Sequence, residues 1–599
     1  MDGMTGVVRV TGKVLGTAGT QVLSNNIECY ENTIPDMLTD RLRNPKFSGP
    51  ESPQTGVAAE WETRGNGMQG MVCKLVPGQY LSGRESQMIQ NFMEHDQAGI
   101  LQVGVPVRAG ERFEVELWAR AQYRPVNVTF ELKLPGRSGQ TCTANVNHAH
   151  WHRVTCEIES PGEGDATFFI VIPGDSRLII DQVHLRPVGE GPVSQTLLDA
   201  FDQFPCPVLR FPGGCASCTY HWEHSVGPVH LRPVVDDPAF KYKMHYDFGT
   251  DEYLQLCVAK GMRPFITLNT TTATPEDAVG WAAYIRAWYL ERDLPVPAAY
   301  FGVGNENYGT WELGHMTGQM YVEQLRAFVP GLREAYPEAR IAAIGEFSSK
   351  GLRDAYTTPW RSLLLEVPEL FDMLMVTRYA WGSDDGTMAE KMATVADRVG
   401  EKREDLSQQV KTIRDSGLDC TMGIVEWNYW TRASHNDHEG FFEPNDIRHC
   451  LYGAGLINSF CRLGEILEVA NYYSLVNTMG MIHSHVGEVE YSDMVKVMNL
   501  YADALPGEVL DVEVDAPMVS DSNAALDACF LRKDDKTYGF LVHFGEQDLT
   551  VNLESVGKIE TATGITADDI LVPVKTYTPA TEGTTVTLKP RTVVRVICS

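Results

Sequence analysis

The chain has 599 residues, of which 50 are Lys or Arg and 79 are Asp or Glu, so its formal net charge is −29. A surface this acidic repels phosphate backbones and anionic lipid headgroups, which argues against nucleic acids and membranes as partners. The hydrophobic fraction of 43% excludes a disordered chain, and the length predicts about four domains or one large barrel with attachments.

The amino terminus and the cysteines bear on where the protein resides. Residues 1–6 lack the basic start and apolar segment of a secretory signal, and no apolar run approaches the roughly 20 residues that span a bilayer. The 13 cysteines are odd in number, and several lie inside apolar runs such as 254–258. This pattern is typical of reduced, buried thiols and not of a disulfide framework, so we predict a cytoplasmic protein.

The first long region, residues 59–190, is rich in predicted strands. Apolar and charged side chains alternate over 130–134, which is the period of a strand with one buried face. Residues 113–118 and 167–172 predict further strands, and turn residues such as 161–164 separate them. Because no convincing helix intervenes, we predict a β jelly roll.

Residues 191–478 alternate strands with helices. The apolar strand 263–268 is followed by Thr274-Pro275-Glu276-Asp277, an N-cap with proline and acids in the first helical turn. A second helix begins near Thr250 and ends at Gly261. Alternation over this length predicts a parallel sheet closed into a (β/α)₈ TIM barrel, whose chemistry lies at the carboxyl ends of the strands.

Residues 479–599 return to strands, such as 539–544 and 592–597. They predict a C-terminal β-sandwich. Residues 7–10, within the amino-terminal segment 1–20, predict a strand that joins the same sandwich.

Two apolar strands of the barrel region lead into glutamates. Residues 300–303 precede Gly-Asn-Glu ending at Glu306, and residues 422–425 precede Glu426. Since about 40 residues make one βα unit, the spacing places these glutamates on barrel strands four and seven, facing one mouth. Retaining glycoside hydrolysis requires two such carboxylates, one that attacks the anomeric carbon and one that protonates the leaving oxygen. Either glutamate alone would also fit an ordinary strand-end acid.

A third motif, residues 208–214, is a strand that ends in a tight Pro-Gly-Gly turn. Its Arg210 has the geometry to brace neighbouring carboxylates by paired hydrogen bonds. A purely structural turn is the alternative interpretation of this motif.

Several short segments of the barrel region together match the sequence motifs of one enzyme family. They are residues 209–214, 220–222, 227–228, 248–254, 304–309, 311–315, 426–428, 470–471 and 475–477. With them the chain resembles the α-L-arabinofuranosidases of glycoside hydrolase family 51, over the barrel and more loosely over the terminal sandwich. The resemblance implies that residues 21–58 hold the first barrel strand, at Asn26-Ile27-Glu28. It also implies that the jelly roll, similar to a carbohydrate-binding module, is inserted before the second strand.

The resemblance also implies residue roles. Glu306 would be the general acid/base and Glu426 the nucleophile, with Tyr379 beside it. Asn305 would bind the sugar hydroxyl next to the anomeric carbon, a contact that strengthens in the transition state. The other side chains expected to bind sugar are Glu28, Arg210 and Trp222.

Three positions depart from the family pattern. Cys215 stands where the family usually has a sugar-binding Asn, Thr377 where it usually has His, and Ser474 where it often has Gln. All three would line the sugar pocket, so the same reaction on a different glycosyl unit stays open as an alternative. Arg378 is a candidate contact for an acidic sugar, with a structural ion pair as the alternative.

A metal site is a competing interpretation of one loop. Cys215, Cys218, His221 and His224 recur at every third residue and are ligand types that suit Zn²⁺. The usual spacings are longer, so we favour packing over a metal site and expect neither metal nor cofactor.

We therefore predict a multidomain retaining glycoside hydrolase that removes furanosyl residues, chiefly α-L-arabinofuranosyl, from plant-type oligo- or polysaccharides. The alternatives are a related glycosidase, such as a galactofuranosidase or an endo-glucanase or xylanase, and a catalytically idle carbohydrate-binding protein. Family members commonly form homo-oligomers, and the sequence leaves that assembly open.

Overall fold

The structure is a computed structural model that contains a closed barrel, a two-sheet jelly roll and a large C-terminal sheet. These are the three parts that the sequence predicts. The residues described are 4–64, 70–93, 97–238, 242–345, 360, 363–431, 443, 445–486 and 488–599.

Eight parallel strands close the barrel. We number them one to eight in the order in which they hydrogen-bond: Ser24–Asn26, Val208–Phe211, Arg263–Leu268, Tyr300–Val303, Arg340–Ile344, Met373–Trp381, Thr421–Trp430 and Leu467–Tyr473.

Helices of the barrel region and the short segment after it complete the scaffold. The α-helices are Gln195–Phe201, Thr250–Lys260, Pro275–Leu290, Gly318–Ala335, Met388–Ser416, Ile447–Leu463 and Asp493–Ala502. Short 3₁₀ helices are Thr20–Leu23, Pro35–Met37, Cys215–Thr219, Trp222–Ser225, Val229–Leu231, Pro368–Leu370 and Gly464–Ile466. Two small hairpins pair Val234–Asp236 with Lys243–His245, and Ile482–His485 with Glu488–Tyr491.

Local sequence signals set the helix ends as predicted. Thr274 caps Pro275–Leu290 by accepting a hydrogen bond from the Asp277 N–H, and the Asp277 carboxylate accepts one from the Thr274 N–H. The helix Thr250–Lys260 ends at Gly261, whose φ of 64° suits glycine.

The jelly roll comprises two antiparallel sheets between barrel strands one and two. One sheet contains His152–Glu159, Arg112–Gln122, Ser176–Pro187, Glu85–Asn91 and Met71–Pro77; the other contains Glu62–Arg64, Ala98–Val107, Gly164–Ile172, Val126–Lys133 and Gln140–Val146. Alternate side chains of each sheet, such as Phe113, Phe130 and Phe168, are fully buried between them. The alternation in the sequence therefore identified the buried faces correctly.

The cysteine prediction is wrong for one pair. Cys142 and Cys156 form a disulfide that links the edge strands of the two jelly-roll sheets, with Cα atoms 6.2 Å apart. The other eleven cysteines are free. Because disulfides are rare in reducing compartments, this pair also weighs against the predicted cytoplasmic location.

The amino-terminal strand Met4–Ala18 lies in the C-terminal sheet, as predicted. It pairs antiparallel with Gly507–Asp515 and parallel with Leu549–Glu554. The other strands of this ten-stranded sheet are Leu526–Lys533, Lys536–His543, Ile559–Thr566, Lys575–Tyr577, Ala580–Glu582, Thr585–Leu588 and Thr592–Cys598. Both halves of the sheet bury side chains in one shared core, which gives the sandwich.

One barrel helix attaches this sandwich to the barrel. Ile447–Leu463 is buried along nearly its whole length, and its Asn458 and Arg462 both hydrogen-bond Asp527 at 2.8 Å. Arg462 and Arg403 offset the burial of the Asp527 carboxylate, and the pKa of Asp527 is lowered. The sandwich is thus anchored behind the barrel wall that carries strand seven.

Across the ranges that the structure describes, no helix is both long and apolar enough to cross a membrane.

Candidate active site

Three carboxylates gather at the carboxyl ends of the barrel strands. Glu306 follows strand four by three residues, Glu426 lies in strand seven, and Glu28 follows strand one by two residues. The placement of Glu306 and Glu426 on strands four and seven is the one predicted from their spacing. Glu306 has a φ of 41°, an uncommon conformation for a side-chain-bearing residue that is typical of functional sites.

Arg210, on strand two, holds two of the site's groups. Its side chain is fully buried, and its Nη1 donates to Glu426 Oε1 at 2.6 Å while its Nη2 donates to Asn305 Oδ1 at 2.8 Å. The charged hydrogen bond favours an ionised, immobile Glu426. Since Arg210 occupies the amide oxygen of Asn305, the amide nitrogen must point elsewhere.

Each carboxylate also accepts a hydrogen bond from a tyrosine. Tyr379 OH donates to Glu426 Oε2 at 2.9 Å, and Tyr473 OH donates to Glu28 Oε2 at 2.6 Å. Tyr308 OH donates to Glu306 Oε1 at 3.0 Å. These phenols restrict the rotamers of the three carboxylates, as a preorganised site requires.

Glu306 has two further partners. The indole Nε1 of Trp311 donates to its Oε2 at 2.7 Å, and the Thr377 hydroxyl donates to its Oε1. The hydroxyl oxygens of Thr377 and Tyr308 lie 3.2 Å apart, side by side on the same carboxylate oxygen. The structure thus places Thr377 against Glu306, within the candidate site.

Burial and mutual repulsion shape the electrostatics. Burial raises the pKa of Glu426; the Arg210 guanidinium opposes that shift, and the charge on Glu306 adds to it. Burial, and then the charge on Glu426, raise the pKa of Glu28 to about 7. The negative charges of neighbouring carboxylates therefore make it harder to ionise Glu28 and Glu426 together.

The Pro-Gly-Gly turn after strand two packs directly against the carboxylates of Glu28 and Glu426. The Gly214 N–H donates to Glu28 Oε1 at 2.8 Å. A Cβ on Gly214 would lie 2.2 Å from Glu426 Oε1, and one on Gly213, whose φ is 108°, would lie 2.3 Å from Glu28 Cγ. The turn therefore needs glycine at both positions to let the backbone approach the carboxylates.

Cys215 lies beside a fourth carboxyl group. Its Sγ is 2.7 Å from Glu312 Oε1, and the Sγ of Cys218 is 3.2 Å from Glu312 Oε2. Asn305 Nδ2 donates to Glu312 Oε1 at 3.0 Å. Burial, and then the charge on Glu306, raise the pKa of Glu312 to about 8.

The structure does not support three of the predicted sugar contacts. Arg378 pairs with Asp405 of helix Met388–Ser416 at 2.7 Å, because strand alternation turns it away from the side that carries Thr377 and Tyr379. Trp222 donates to the Asp277 carbonyl at 2.9 Å and packs on Tyr284, so it faces a helix.

Ser474 is the third of these corrections. Its hydroxyl is buried against its own loop, at 3.3 Å from the Val476 carbonyl and 2.8 Å from Thr478 Oγ1. The neighbouring Tyr473 contacts Glu28 instead.

The metal interpretation of the Cys215 loop also finds no support. His221 Nε2 lies 3.3 Å from Thr272 Oγ1, while the two thiols face Glu312. In the described part of the chain, no three His, Cys, Asp or Glu side chains converge as metal ligands would.

The sequence interpretation overlooked four site residues: Tyr308, Trp311, Glu312 and Tyr473. The first three lie within six residues of Glu306, in segments that resemble the family, so their proximity along the chain was an available signal. Tyr473 ends strand eight next to strand one, a signal that exists only once the barrel is closed.

Two family models match the chain. One, described as "Alpha-L-arabinofuranosidase 1 domain", matches residues 200–384. The other, "Alpha-L-arabinofuranosidase C-terminal domain", matches residues 426–594.

Curated relatives carry the same name. A probable α-L-arabinofuranosidase C of Aspergillus terreus is 27% identical over 301 residues, which are 47% of this chain and 60% of the relative. An intracellular exo-α-L-arabinofuranosidase of Bacteroides ovatus is 23% identical over 415 residues, 62% of this chain and 78% of the relative. The match thus spans about three fifths of the Aspergillus protein.

Solved structures share the fold. The α-L-arabinofuranosidase of Thermotoga maritima, in complex with arabinose, matches with a TM-score of 0.57 and 24% identity, over 68% of this chain and 90% of that one. The GH51 arabinofuranosidase of Xanthomonas axonopodis pv. citri matches with a TM-score of 0.60 and 20% identity, over 69% of this chain and 91% of that one. Because the two family models together match more than half of the residues, the chain belongs to the α-L-arabinofuranosidase family of glycoside hydrolases.

Proposed function

We propose that the protein is a retaining glycoside hydrolase that releases furanosyl residues, chiefly α-L-arabinofuranosyl, from plant-type oligo- or polysaccharides. One observation carries the proposal: Glu426, held by Arg210 and Tyr379, faces the same barrel mouth as Glu306. Family membership supports the choice of arabinofuranosides.

The first step would transfer the sugar to the enzyme. A Glu426 oxygen forms a bond to the anomeric carbon while the bond from that carbon to the leaving oxygen breaks. Glu306 gives its proton to the leaving oxygen, so the aglycone departs as a neutral alcohol.

The second step would release the sugar. Glu306, now ionised, takes a proton from a water molecule as the water oxygen attacks the anomeric carbon, and Glu426 leaves as a carboxylate. Two inversions give net retention of configuration. The double displacement uses only protein groups and water.

Asn305 supports the transition state in this proposal. Its amide nitrogen donates to Glu312 at 3.0 Å and, weakly, to Cys215 Sγ at 3.8 Å; the sugar hydroxyl next to the anomeric carbon would replace the sulfur as the second acceptor. Arg210 prevents the amide from turning over, because it occupies Oδ1.

A panel of nitrophenyl glycosides tests the proposal. We expect wild-type protein to cleave the α-L-arabinofuranoside at least about tenfold faster, in kcat/KM, than the β-D-galactofuranoside, β-D-glucoside and β-D-xyloside, with first-formed arabinose of retained configuration by NMR. Preference for another glycoside would identify a related glycosidase. Absence of turnover across the panel, with binding of glycans retained, would indicate a carbohydrate-binding protein.

Gly214→Ala is expected to lower kcat/KM by roughly 100-fold or more, because the new methyl group would displace Glu426 from its position. Gly191→Ala is the matched control, since a Cβ there meets no atom within 4 Å. Kinetics and thermal unfolding of both variants provide the measurement. Full activity of folded Gly214→Ala would contradict the placement of Glu426 in the reaction.

For location, we propose the cytoplasm. Eleven free cysteines and the name of the intracellular Bacteroides ovatus relative support it, and the Cys142–Cys156 disulfide opposes it. Thiol labelling of protein taken directly from its native cells would show whether that pair is reduced.

A further inference from the structure

Glu312 is a buried carboxyl group on which two catalytic loops converge. It lies in the loop after strand four, six residues after Glu306, and only 5% of it is exposed. Cys215 and Cys218, from the 3₁₀ helix Cys215–Thr219 after strand two, approach its two oxygens. Nothing in the double displacement described above requires a carboxyl group at this position.

Glu312 is connected to the nucleophile by an unbroken chain of hydrogen bonds. Arg210 donates to both Glu426 and Asn305, and Asn305 in turn donates to Glu312. The amide of Asn305 is therefore held at both ends, with its oxygen toward Arg210 and its nitrogen toward Glu312. Fixing both ends removes the rotation and flipping that an amide otherwise retains.

The thiols favour this role over direct sugar binding. Burial and the neighbouring carboxylates, Glu312 first, raise the pKa of Cys215 well above its ordinary value, so the thiol is neutral. Its S–H is directed at Glu312, as is that of Cys218. Both thiols therefore fix the Glu312 carboxyl group in the orientation that meets Asn305.

We propose that Glu312 is a positioning residue that orients the Asn305 amide toward the sugar hydroxyl next to the anomeric carbon. This inference rests on the proposed glycosidase function and adds the residue that sets its hydroxyl contact. Since that contact strengthens in the transition state, the loss of Glu312 affects kcat more than KM.

A double-mutant cycle between Glu312 and Asn305 tests the proposal. We expect Glu312→Ala to lower kcat by roughly 10- to 100-fold with little change in KM, because a buried amide loses its partner and its orientation. Asn305→Ala should lower kcat at least as much, and the double variant should be no slower than Asn305→Ala alone. Glu312→Gln should regain most of the activity, because its amide oxygen can accept the same N–H.

Two controls separate positioning from general damage. Glu323→Gln, at an exposed position of helix Gly318–Ala335, should match wild type. On the corresponding 2-deoxy glycoside, which lacks the contacted hydroxyl, Glu312→Ala and wild type should differ by less than about threefold. Thermal unfolding identifies any variant that fails to fold; if Glu312→Ala does so, Glu312→Met, which has a side chain of similar length but no oxygen to accept the Asn305 N–H, carries the comparison.

Multiplicative losses in the double variant, or an equal loss on the 2-deoxy glycoside, would overturn the role of Glu312. Failure of the proposed function would look different, because wild-type protein itself would then not turn over the arabinofuranoside. If the panel reveals another glycoside as substrate, the same cycle applies to that glycoside and its 2-deoxy analogue.

Discussion

Glu426→Gln is expected to lower kcat by roughly 10⁴-fold or more, because an amide oxygen cannot form the covalent glycosyl intermediate. Glutamine has nearly the size of glutamate, and its amide oxygen can still accept a hydrogen bond from Arg210, which is fully buried. The variant should therefore fold. The measurement is kcat on the preferred aryl glycoside, with thermal unfolding alongside.

Glu426→Ala provides a second, sharper readout. The shorter side chain opens space for azide, which can attack the anomeric carbon directly and give a glycosyl azide of inverted configuration. The alanine variant also leaves the Arg210 charge without its carboxylate, so we expect lower stability than for the glutamine variant. Glu404→Ala, at an exposed position of helix Met388–Ser416, is the control for removal of an acid. More than about 1% residual activity in both Glu426 variants would rule out Glu426 as the nucleophile.

Glu306→Ala is expected to lower kcat/KM by roughly 10²- to 10⁴-fold on glycosides whose leaving group needs a proton, such as an alkyl or sugar alcohol. The loss should be far smaller on a dinitrophenyl glycoside, because that leaving group departs as an anion. The covalent intermediate should then accumulate, since no base activates the water molecule, and a burst of dinitrophenolate should precede slow turnover.

Azide distinguishes Glu306 from Glu426. In Glu306→Ala, azide should attack the covalent intermediate and restore turnover, with a glycosyl azide of retained configuration. Tyr308, Thr377 and Trp311 all donate to Glu306 and should keep their positions when it is truncated, so the fold should persist. Equal losses on alkyl and dinitrophenyl glycosides would contradict an acid/base role.

Much of the scaffold was predictable because its signals are local. The alternation over 130–134 reflects one buried face of a strand, and the cap at Thr274 satisfies N–H groups within the same helical turn. The spacing of Glu306 and Glu426 placed them on strands four and seven because each βα unit uses a similar length of chain.

The pocket was less predictable, because its partners come from distant parts of the chain. Arg378 and Tyr379 are adjacent in sequence, yet one pairs with Asp405 outside the barrel and the other binds Glu426 inside it. Their side chains point to opposite faces of strand six because successive residues of a strand alternate between its faces. Which of the two faces points into the barrel depends on how the strand is aligned with its neighbours. The Cys142–Cys156 disulfide likewise depends on which edge strands of two sheets meet.

The sequence by itself determined the barrel with its two β domains, and the two glutamates at its mouth, because hydrophobic period and strand-end motifs are properties of short segments. Only the tertiary structure decided which side chains surround the pocket: Tyr473 contacts Glu28 across 445 residues of sequence, and Cys215 contacts Glu312 across 97. The physical reason is that closing the barrel brings together loops that no local interaction relates. We expect these contacts between distant loops to determine which sugar the enzyme accepts.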